Sequence, residues 1–311
     1  MFTKAATTTR SKLASLRFWR RPRPRIVVPA PEPGQYVRAE THDAVYLVTL
    51  NDPGTRNSLS TALVRELIAQ LDYFEEAPDL KVLVLTGADP AFSSGFNVGE
   101  FAADLHDLEV AGPHPARPWE QLDPKYAGAA PGHREDTGNW EVLLRLMSSQ
   151  KPIIAAVNGP AAGLGLGMAL CCDIRIASEK ALFIASFVRM GIPAGDASAW
   201  TLPRLVGSGN AMLMQLTGDP VNAAEAYRTG LAQKLVPHDE LMPVAMELAA
   251  KIAKGSSYGH ALTKLLARKA QSETFSEHFW EAQRAFALAQ AGVDHKEGVR
   301  AFLEKREARF Q

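Results

Sequence analysis

Apolar and polar positions follow two different periods along the first half of this chain, and these periods predict its elements. Val45–Leu50 alternates enough to predict a strand. Lys81–Thr86 and Pro152–Val157 are nearly continuous apolar runs, which are typical of strands buried on both faces of a parallel sheet. After Ser60, which can cap a helix, apolar residues recur at helical spacing. This stripe consists of Leu63, Val64, Leu67, Ile68, Leu71 and Phe74.

Later segments extend the same alternation of strands and helices. Ala162–Cys172 predicts a buried helix of small residues, and Asp173–Ala177 and Ala181–Ile184 predict two short strands. The chain from Trp200 onward is mainly helical in pattern and ends in a helix over Val299–Phe310. Strands alternating with helices, followed by helices alone, indicate an α/β domain with crossover connections and a helical C-terminal part.

One long segment has no clear period. Ala102–Asn139 spans about 38 residues that are rich in Gly and Pro. Loops of this length in compact domains are usually functional or disordered. Two interpretations therefore stay open: a loop over the active site, or a disordered surface insertion.

Charge changes the picture only at the N-terminus. The formal net charge is zero, which gives no reason to expect a nucleic-acid partner. Residues 1–31 nevertheless carry eight basic side chains and no acidic one, as mitochondrial transit peptides do. A disordered basic tail is the alternative. We expect residues 1–35 to form a basic, Pro-rich extension, and the protein to be mitochondrial if eukaryotic or cytoplasmic if bacterial.

Cysteine use and hydropathy exclude several classes of protein. Cys171 and Cys172 are neighbours and cannot staple a fold, so a reducing compartment is expected. No metal-ligand spacing surrounds them, and no metal site is predicted. No apolar run approaches the roughly 18 residues of a membrane span, so no membrane association is expected.

Two glycine-bearing segments indicate a chemistry. Ser93–Gly95 follows a buried strand, and Gly163–Gly167 leads into a helix. Small residues let main-chain N–H groups approach a ligand, and a helix N-terminus adds partial positive charge. N–H groups aimed at one oxygen stabilise an enolate, by about 3–4 kcal/mol per donor. The alternative for Gly163–Gly167 is close packing of helix against strand.

Four segments together resemble the enoyl-CoA hydratase/isomerase (crotonase) superfamily: Leu50–Leu59, Leu85–Phe101, Lys151–Asp173 and Asp294–Phe310. They stand in the family's order over roughly residues 36–311. The resemblance implies the crotonase (ClpP-like) spiral fold of ββα units. It implies a core over residues 36–255 and a helical trimerisation region over 256–311, with a homotrimer or hexamer expected.

The resemblance also implies roles for individual residues. The N–H groups of Phe96 and Leu164 correspond to the oxyanion-hole donors, which hold the oxygen of an acyl-CoA thioester. The turn containing Arg56, Asn57 and Leu59 corresponds to the CoA-binding turn, and Arg56 suits a phosphate. Phe286 and Lys305 correspond to the aromatic and the cation that clamp the nucleotide; helix core and a solvated charge are the alternatives. No cofactor is implied beyond coenzyme A as part of the substrate.

The chain departs from the hydratases of this family at their two glutamates. Gly167 and Phe187 stand at those positions, and neither can transfer a proton. Asp196 lies where other branches, such as 6-oxocamphor hydrolase, carry a catalytic acid; capping of the next helix is the alternative role. Weaker candidates are His106, His114, His133, Asp136 and Glu141.

We therefore expect an acyl-CoA enzyme, an isomerase or a lyase, with Asp196 as the general acid and base. Double-bond isomerisation fits a single carboxylate best, although the isomerases of the family carry their aspartate one position earlier, at Gly195 here. Two alternatives stay open. One is a C–C hydrolase acting on a β-diketone, as in 6-oxocamphor hydrolase. The other is a non-catalytic acyl-CoA-binding protein.

Overall fold

The computed structural model describes residues 29–32, 34–100 and 138–311. Most of the predicted extension over residues 1–35, and all but the last two residues of the long segment Ala102–Asn139, lie outside the described residues. Within the described residues, no helix is long and apolar enough to cross a membrane.

Strands and helices alternate along the chain until the C-terminal part, which is helical. The strands are β1 Val37–His42, β2 Val45–Leu50, β3 Ser58–Leu59, β4 Val82–Gly87, β5 Gly95–Phe96, β6 Ile153–Val157, β7 Pro160–Ala162, β8 Ile174–Ser178, β9 Leu182–Ile184, β10 Val221–Asn222 and β11 Lys234–Val236. The α-helices are α1 Thr61–Glu76, α2 Glu141–Ser148, α3 Leu164–Cys171, α4 Ser198–Thr217, α5 Ala223–Thr229, α6 Leu241–Ala253, α7 Ser257–Lys269, α8 Phe275–Gln290 and α9 Val293–Glu304.

The long strands form one six-stranded sheet in the order β1-β2-β4-β6-β8-β11. Only β1 and β2 pair antiparallel, and the other pairs are parallel. The short strands form two small sheets, β3-β5 and β10-β9-β7, joined by a bridge between Ser93 and Ala161. A long strand, a short strand and a helix therefore recur four times from β2 to α4, which makes the chain a spiral of ββα turns.

The main sheet is covered on both faces because its strands alternate their side chains. Val82 and Val84 of β4 face a cluster with α6, whereas Leu83 and Leu85 face the larger core with α1 and α3. The Ser60 side chain accepts from the Leu63 N–H and caps α1, as the sequence predicts. Burial of each large apolar side chain contributes about 1.5–3 kcal/mol.

The last predicted helix has different bounds in the structure. The final helix runs over Val293–Glu304 rather than Val299–Phe310. It stops because Lys305 adopts the left-handed conformation, with φ 56°, and its N–H bonds back to Phe302. Apolar residues also occur after Lys305, so the hydrophobic pattern alone does not show where the helix ends.

A buried guanidinium ties the end of α3 to the chain before β11. Arg175 on β8 is only 2% exposed. Its Nε donates to the Leu231 carbonyl at 2.7 Å, and its Nη1 donates to the Cys172 carbonyl at 2.8 Å. Its Nη2 donates to Gln233 Oε1 at 3.2 Å. One side chain thus satisfies polar groups of two segments, at Cys172 and at residues 231–233.

We expect Arg175→Ala to lower the free energy of unfolding by about 3 kcal/mol or more, because it leaves a cavity and several buried acceptors without donors. Urea unfolding followed by circular dichroism measures the change. Arg38→Ala, an exposed arginine on β1, is the matched control and should change stability by less than about 0.5 kcal/mol. Equal effects of the two substitutions would contradict this role of Arg175.

Candidate active site

Hydrogen bonds join two backbone turns, from neighbouring ββα units, at the start of α3. The Phe92 and Ser93 N–H groups both donate to the Pro160 carbonyl at 3.1 Å. The Ala162 N–H donates to the Ser93 carbonyl at 3.0 Å. These bonds fix the turn before Phe96 beside the turn that leads into α3.

Gly95 brings the two turns into direct contact. A Cβ on Gly95 would lie 2.5 Å from the Ala162 carbonyl oxygen and 3.2 Å from the Leu164 nitrogen, so only glycine fits. Its φ of 87° also lies in the region that favours glycine. Gly95 directly precedes Phe96, and the structure therefore brings the predicted Phe96 and Leu164 donors onto adjoining stretches of backbone.

The Leu164 amide has the electrostatic character that such a donor needs. Leu164 is the first residue of α3, where an N–H has no carbonyl partner within the helix. The helix dipole adds partial positive charge at the same point. Its side chain is fully buried in the core, which leaves the main chain to face the Gly95 turn.

Trp140, which directly precedes α2, packs against this region. Its ring packs edge-on against the Phe96 ring, with centroids 4.8 Å apart at 78°. Its Cη2 lies 3.5 Å from where a Gly195 Cβ would stand. Trp140 thus joins the Phe96 turn to the segment that carries Asp196. Sequence reasoning missed this residue, since a lone tryptophan at the end of a long loop carries no pattern.

Asp196 is fully buried, and its two carboxylate oxygens have different surroundings. Oδ1 accepts from the Ser198 N–H at 3.1 Å and from the Ser198 hydroxyl at 2.5 Å. Oδ2 is buried without a hydrogen-bond partner among the described residues. Oδ1 therefore serves the turn that begins α4, while Oδ2 is buried beside Gly167.

Oδ2 faces Gly167 on α3, the position of the first hydratase glutamate in the resemblance. A Cβ on Gly167 would lie 3.0 Å from both Cβ and Oδ2 of Asp196, and 2.4 Å from its carbonyl oxygen. The nearby Gly167 N–H donates to the Gly163 carbonyl at 3.0 Å. The Asp196 carboxylate thus fills the space into which a side chain at position 167 would point.

Burial raises the pKa of the Asp196 carboxyl. The two hydrogen bonds from Ser198 oppose that rise, and the main-chain amides of Asp196 and Gly167 oppose it to a smaller extent. The Cys171 thiol on α3 is a neighbouring titratable group, and burial followed by the Asp196 charge raises its pKa to about 12. The thiol is therefore neutral near pH 7. A carboxyl with a raised pKa suits proton transfer at neutral pH.

The resemblance assigns the second hydratase glutamate to the position of Phe187. This residue is 2% exposed, and its ring lies 3.7 Å from where a Gly163 Cβ would stand. A phenyl ring has no group that holds a water molecule as a carboxylate does.

The predicted CoA-binding turn is bonded directly to the Phe96 turn. The Ser94 N–H donates to the Arg56 carbonyl at 2.9 Å, and Arg56 itself is exposed. Asn57 is fully buried, and its side chain donates to the Ala88 and Ala91 carbonyls at 2.8 and 2.7 Å. Leu59 is fully buried in the core. Any contact of Asn57 or Leu59 with a ligand must therefore come from their main chain.

The remaining candidates lie away from these turns or outside the described residues. Phe286 on α8 and Lys305 after α9 are both exposed. Glu141 pairs with Arg145 at 3.2 Å on the surface of α2. Asp173 accepts from the Ile153 N–H at 2.8 Å and from Lys264, so it holds a strand, as expected. His106, His114, His133 and Asp136 lie outside the described residues.

We expect Asp196→Asn to raise the free energy of unfolding at neutral pH by about 1 kcal/mol, as removal of strain at functional sites often does. A native pKa above the unfolded one means that stability falls as pH rises through the native pKa. Asparagine carries no charge. The stability that Asp196→Asn gains over the wild type should therefore vanish at pH values below the pKa of an unfolded aspartate, about 4. Urea unfolding between about pH 4 and pH 8 measures the difference.

Asp79→Asn, at an exposed turn position, is the matched control and should leave stability nearly unchanged. A lower stability of Asp196→Asn at neutral pH would show that the charge of Asp196 serves the start of α4. That result would overturn the separation of roles between Oδ1 and Oδ2.

Comparison of the sequence with known proteins gives one consistent answer. The sequence model of enoyl-CoA hydratase/isomerase matches residues 40–123 and 127–311. The mitochondrial enoyl-CoA hydratase of Pongo abelii is 34% identical over 280 residues, which are 89% of this chain and 88% of that protein. The crotonyl-CoA hydratase of Syntrophomonas wolfei is 32% identical over 272 residues, which are 87% of this chain and 96% of that protein.

Solved structures agree with the sequence comparison. The crystal structure of the enoyl-CoA hydratase from Bacillus anthracis superposes with a TM-score of 0.76 at 29% identity, covering 88% of this chain and 99% of that chain. The predicted crotonase fold of ββα units is thereby confirmed. On the family match and these relatives together, this chain belongs to the enoyl-CoA hydratase/isomerase family.

Proposed function

We propose that this protein binds an acyl-CoA thioester and stabilises its enolate with the N–H groups of Phe96 and Leu164. The observation that supports this most directly is the contact of Gly95 with the start of α3, which sets the two amides on adjoining backbones. Both amides are fixed in place before any ligand arrives. Preorganised donors of this kind stabilise developing negative charge by about 3–4 kcal/mol each.

Asp196 is the general acid and base of the proposed reaction, an isomerisation of a carbon–carbon double bond. Oδ2 takes a proton from one carbon of the acyl chain, and the electron pair of that C–H bond moves into the enolate. The same oxygen then returns the proton to another carbon of the conjugated system, which shifts the double bond. No second reactant is needed, and one carboxylate carries both steps.

The reaction differs from that named in the relatives, which are hydratases. Hydration needs groups that hold and activate water, and the two positions that the resemblance assigns to them carry Gly167 and Phe187. The phenyl ring of Phe187 is buried beside Gly163, where it excludes water. The surroundings of Asp196 therefore favour proton transfer between carbons over addition of water.

CoA binds, in this proposed function, at the turn formed by residues 55–59. The exposed Arg56 side chain is placed to meet a phosphate, and the carbonyl of the same residue binds the turn that leads to Phe96. The main chain of Asn57 and Leu59 lines the same turn. The exposed Phe286 and Lys305 complete the nucleotide site in the assembled protein, where they reach a neighbouring subunit.

We further propose that the chain assembles as a homotrimer or a hexamer through its C-terminal helices. Helices α8 and α9 expose large apolar side chains, which are costly to leave in water. They include Phe275, Phe279, Trp280, Phe286, Leu288, Val299, Phe302 and Leu303. The assembly works in the mitochondrial matrix if the source is eukaryotic and in the cytoplasm if it is bacterial.

Exchange of acyl hydrogens with deuterated water tests the proposed chemistry. The wild type should exchange α-hydrogens of at least one enoyl-CoA in a panel of chain lengths, read by mass spectrometry. Asp196→Asn should slow the exchange about 1,000-fold, since general acid–base groups typically contribute 100- to 10,000-fold. Asp79→Asn is the control and should leave the rate unchanged.

Urea unfolding of Asp196→Asn separates loss of the carboxylate from loss of folding. The variant should unfold at the same urea concentration as the wild type or at a higher one, while its exchange is slowed. No exchange with any thioester, despite saturable CoA binding, would identify a binding protein. Cleavage of a β-diketone without affinity for CoA would identify a hydrolase.

Arg56→Ala should raise the KM for an acyl-CoA about tenfold and leave kcat unchanged, because a phosphate contact binds substrate and transition state equally. Tenfold corresponds to about 1.4 kcal/mol, within the range of a charge-assisted hydrogen bond. The acyl-pantetheine analogue lacks the nucleotide phosphates and is the control substrate. An equal loss with both substrates would refute a phosphate role for Arg56.

A further inference from the structure

The two hydrogen bonds that Asp196 receives from Ser198 both reach the same oxygen. The Ser198 N–H donates to Oδ1 at 3.1 Å, and the Ser198 hydroxyl donates to it at 2.5 Å. Ser198 is itself fully buried, so water does not compete for its hydroxyl. Oδ2 has no such partner among the described residues.

Local backbone geometry produces this one-sided arrangement. Ala197 adopts the left-handed conformation, with φ 68° and ψ −9°, and directly precedes α4. The turn folds the Ser198 N–H back onto the side chain two residues earlier, as in an Asx turn. Because Ser198 is the first residue of α4, its N–H needs an acceptor outside the helix. Oδ1 supplies that acceptor and is held there.

We propose that Ser198 is a positioning residue that keeps Oδ1 as an acceptor and so makes Oδ2 the oxygen that gains and loses the proton. An oxygen that already accepts two donors is a poor place for a further proton. Oδ2 faces Gly167 and receives no hydrogen bond from Ser198. The role in catalysis rests on the proposed function, whereas the assignment of the protonating oxygen is a property of the folded protein alone.

The hydroxyl of Ser198 also sets the pH range in which Asp196 is a base. Hydrogen bonds from Ser198 favour the charged carboxylate and lower its pKa against the effect of burial. Among the described groups, the titratable side chain that faces Asp196 from α3 is Cys171, whose pKa of about 12 keeps it neutral. Loss of the hydroxyl should therefore move the titration of Asp196 to higher pH.

Ser198→Ala tests the inference by two measurements on the full chain. The first is the ¹³C NMR titration of the Asp196 carboxyl in protein labelled at aspartate Cγ, assigned with Asp196→Asn. The second is the pH dependence of deuterium exchange into an acyl-CoA. We expect both midpoints to move to higher pH together. We also expect exchange at pH 7 to fall about tenfold or more, as misplacement of a reacting group does.

Two further variants separate positioning from a general loss of structure. Ser198→Thr keeps the hydroxyl and should restore the midpoint of the carboxyl titration toward that of the wild type. Ser208→Ala, at an exposed position of the same helix, should leave both measurements unchanged. An unmoved carboxyl titration in folded Ser198→Ala would overturn the inference.

The NMR measurement distinguishes failure of this inference from failure of the proposed function. If the wild type exchanges hydrogen with no thioester, the proposed function fails, and the carboxyl titration still decides whether Ser198 governs Asp196. If exchange occurs and its midpoint does not follow the carboxyl titration, Ser198 has no role in the reaction.

Discussion

The site depends on how closely the backbone of α3 approaches its neighbours. On one side, Gly95 lies against the Ala162 carbonyl and the Leu164 nitrogen, at distances that leave no room for a Cβ. On the other side, Gly167 lies against the main chain and carboxylate of Asp196. The helix start is therefore held between a turn of the preceding ββα unit and the segment before α4. The Leu164 amide and the contact of Gly167 with Asp196 therefore lie within one turn of the same short helix, and both contacts involve main chain.

Buried amide side chains hold the loop between β4 and β5 in the shape that this contact requires. Asn57 donates to the Ala88 and Ala91 carbonyls, and Asn158 donates to Asp89 at 2.9 Å. His238 contacts the other Asp89 oxygen at 3.0 Å. A loop without regular structure has polar groups that need partners, and here the partners come from three distant places in the chain. The Phe96 amide is thus held by these polar side chains together with the pairing of β5 with β3.

Sequence patterns predicted the long elements well and the short ones poorly. Val45–Leu50 has the predicted bounds, and Ser60 caps α1, because a six-residue strand and a 16-residue helix are long enough to show their periods. The short strand β9 was predicted, as Ala181–Ile184, whereas β3, β5, β7, β10 and β11 were not, since two or three residues hardly show a pattern. The six-residue strand β1 was not predicted either. The contact of Gly167 with Asp196 was also not predicted. It joins residues far apart in sequence, and only packing of α3 against the segment before α4 creates it.

The same contact changes how the missing glutamates are interpreted. Gly167 stands at the position that the resemblance assigns to a hydratase glutamate. Compared position by position, this glycine suggests that the catalytic acid has been lost. In the folded protein, the Asp196 carboxylate fills the space beside this glycine. One of its oxygens is hydrogen-bonded, and the other has no hydrogen-bond partner among the described residues. A residue lost only by drift would leave a void or an apolar filler, as Phe187 shows at the second position. A buried, unpartnered carboxylate oxygen costs stability, so its presence beside Gly167 favours chemistry moved to a new residue over chemistry that has disappeared.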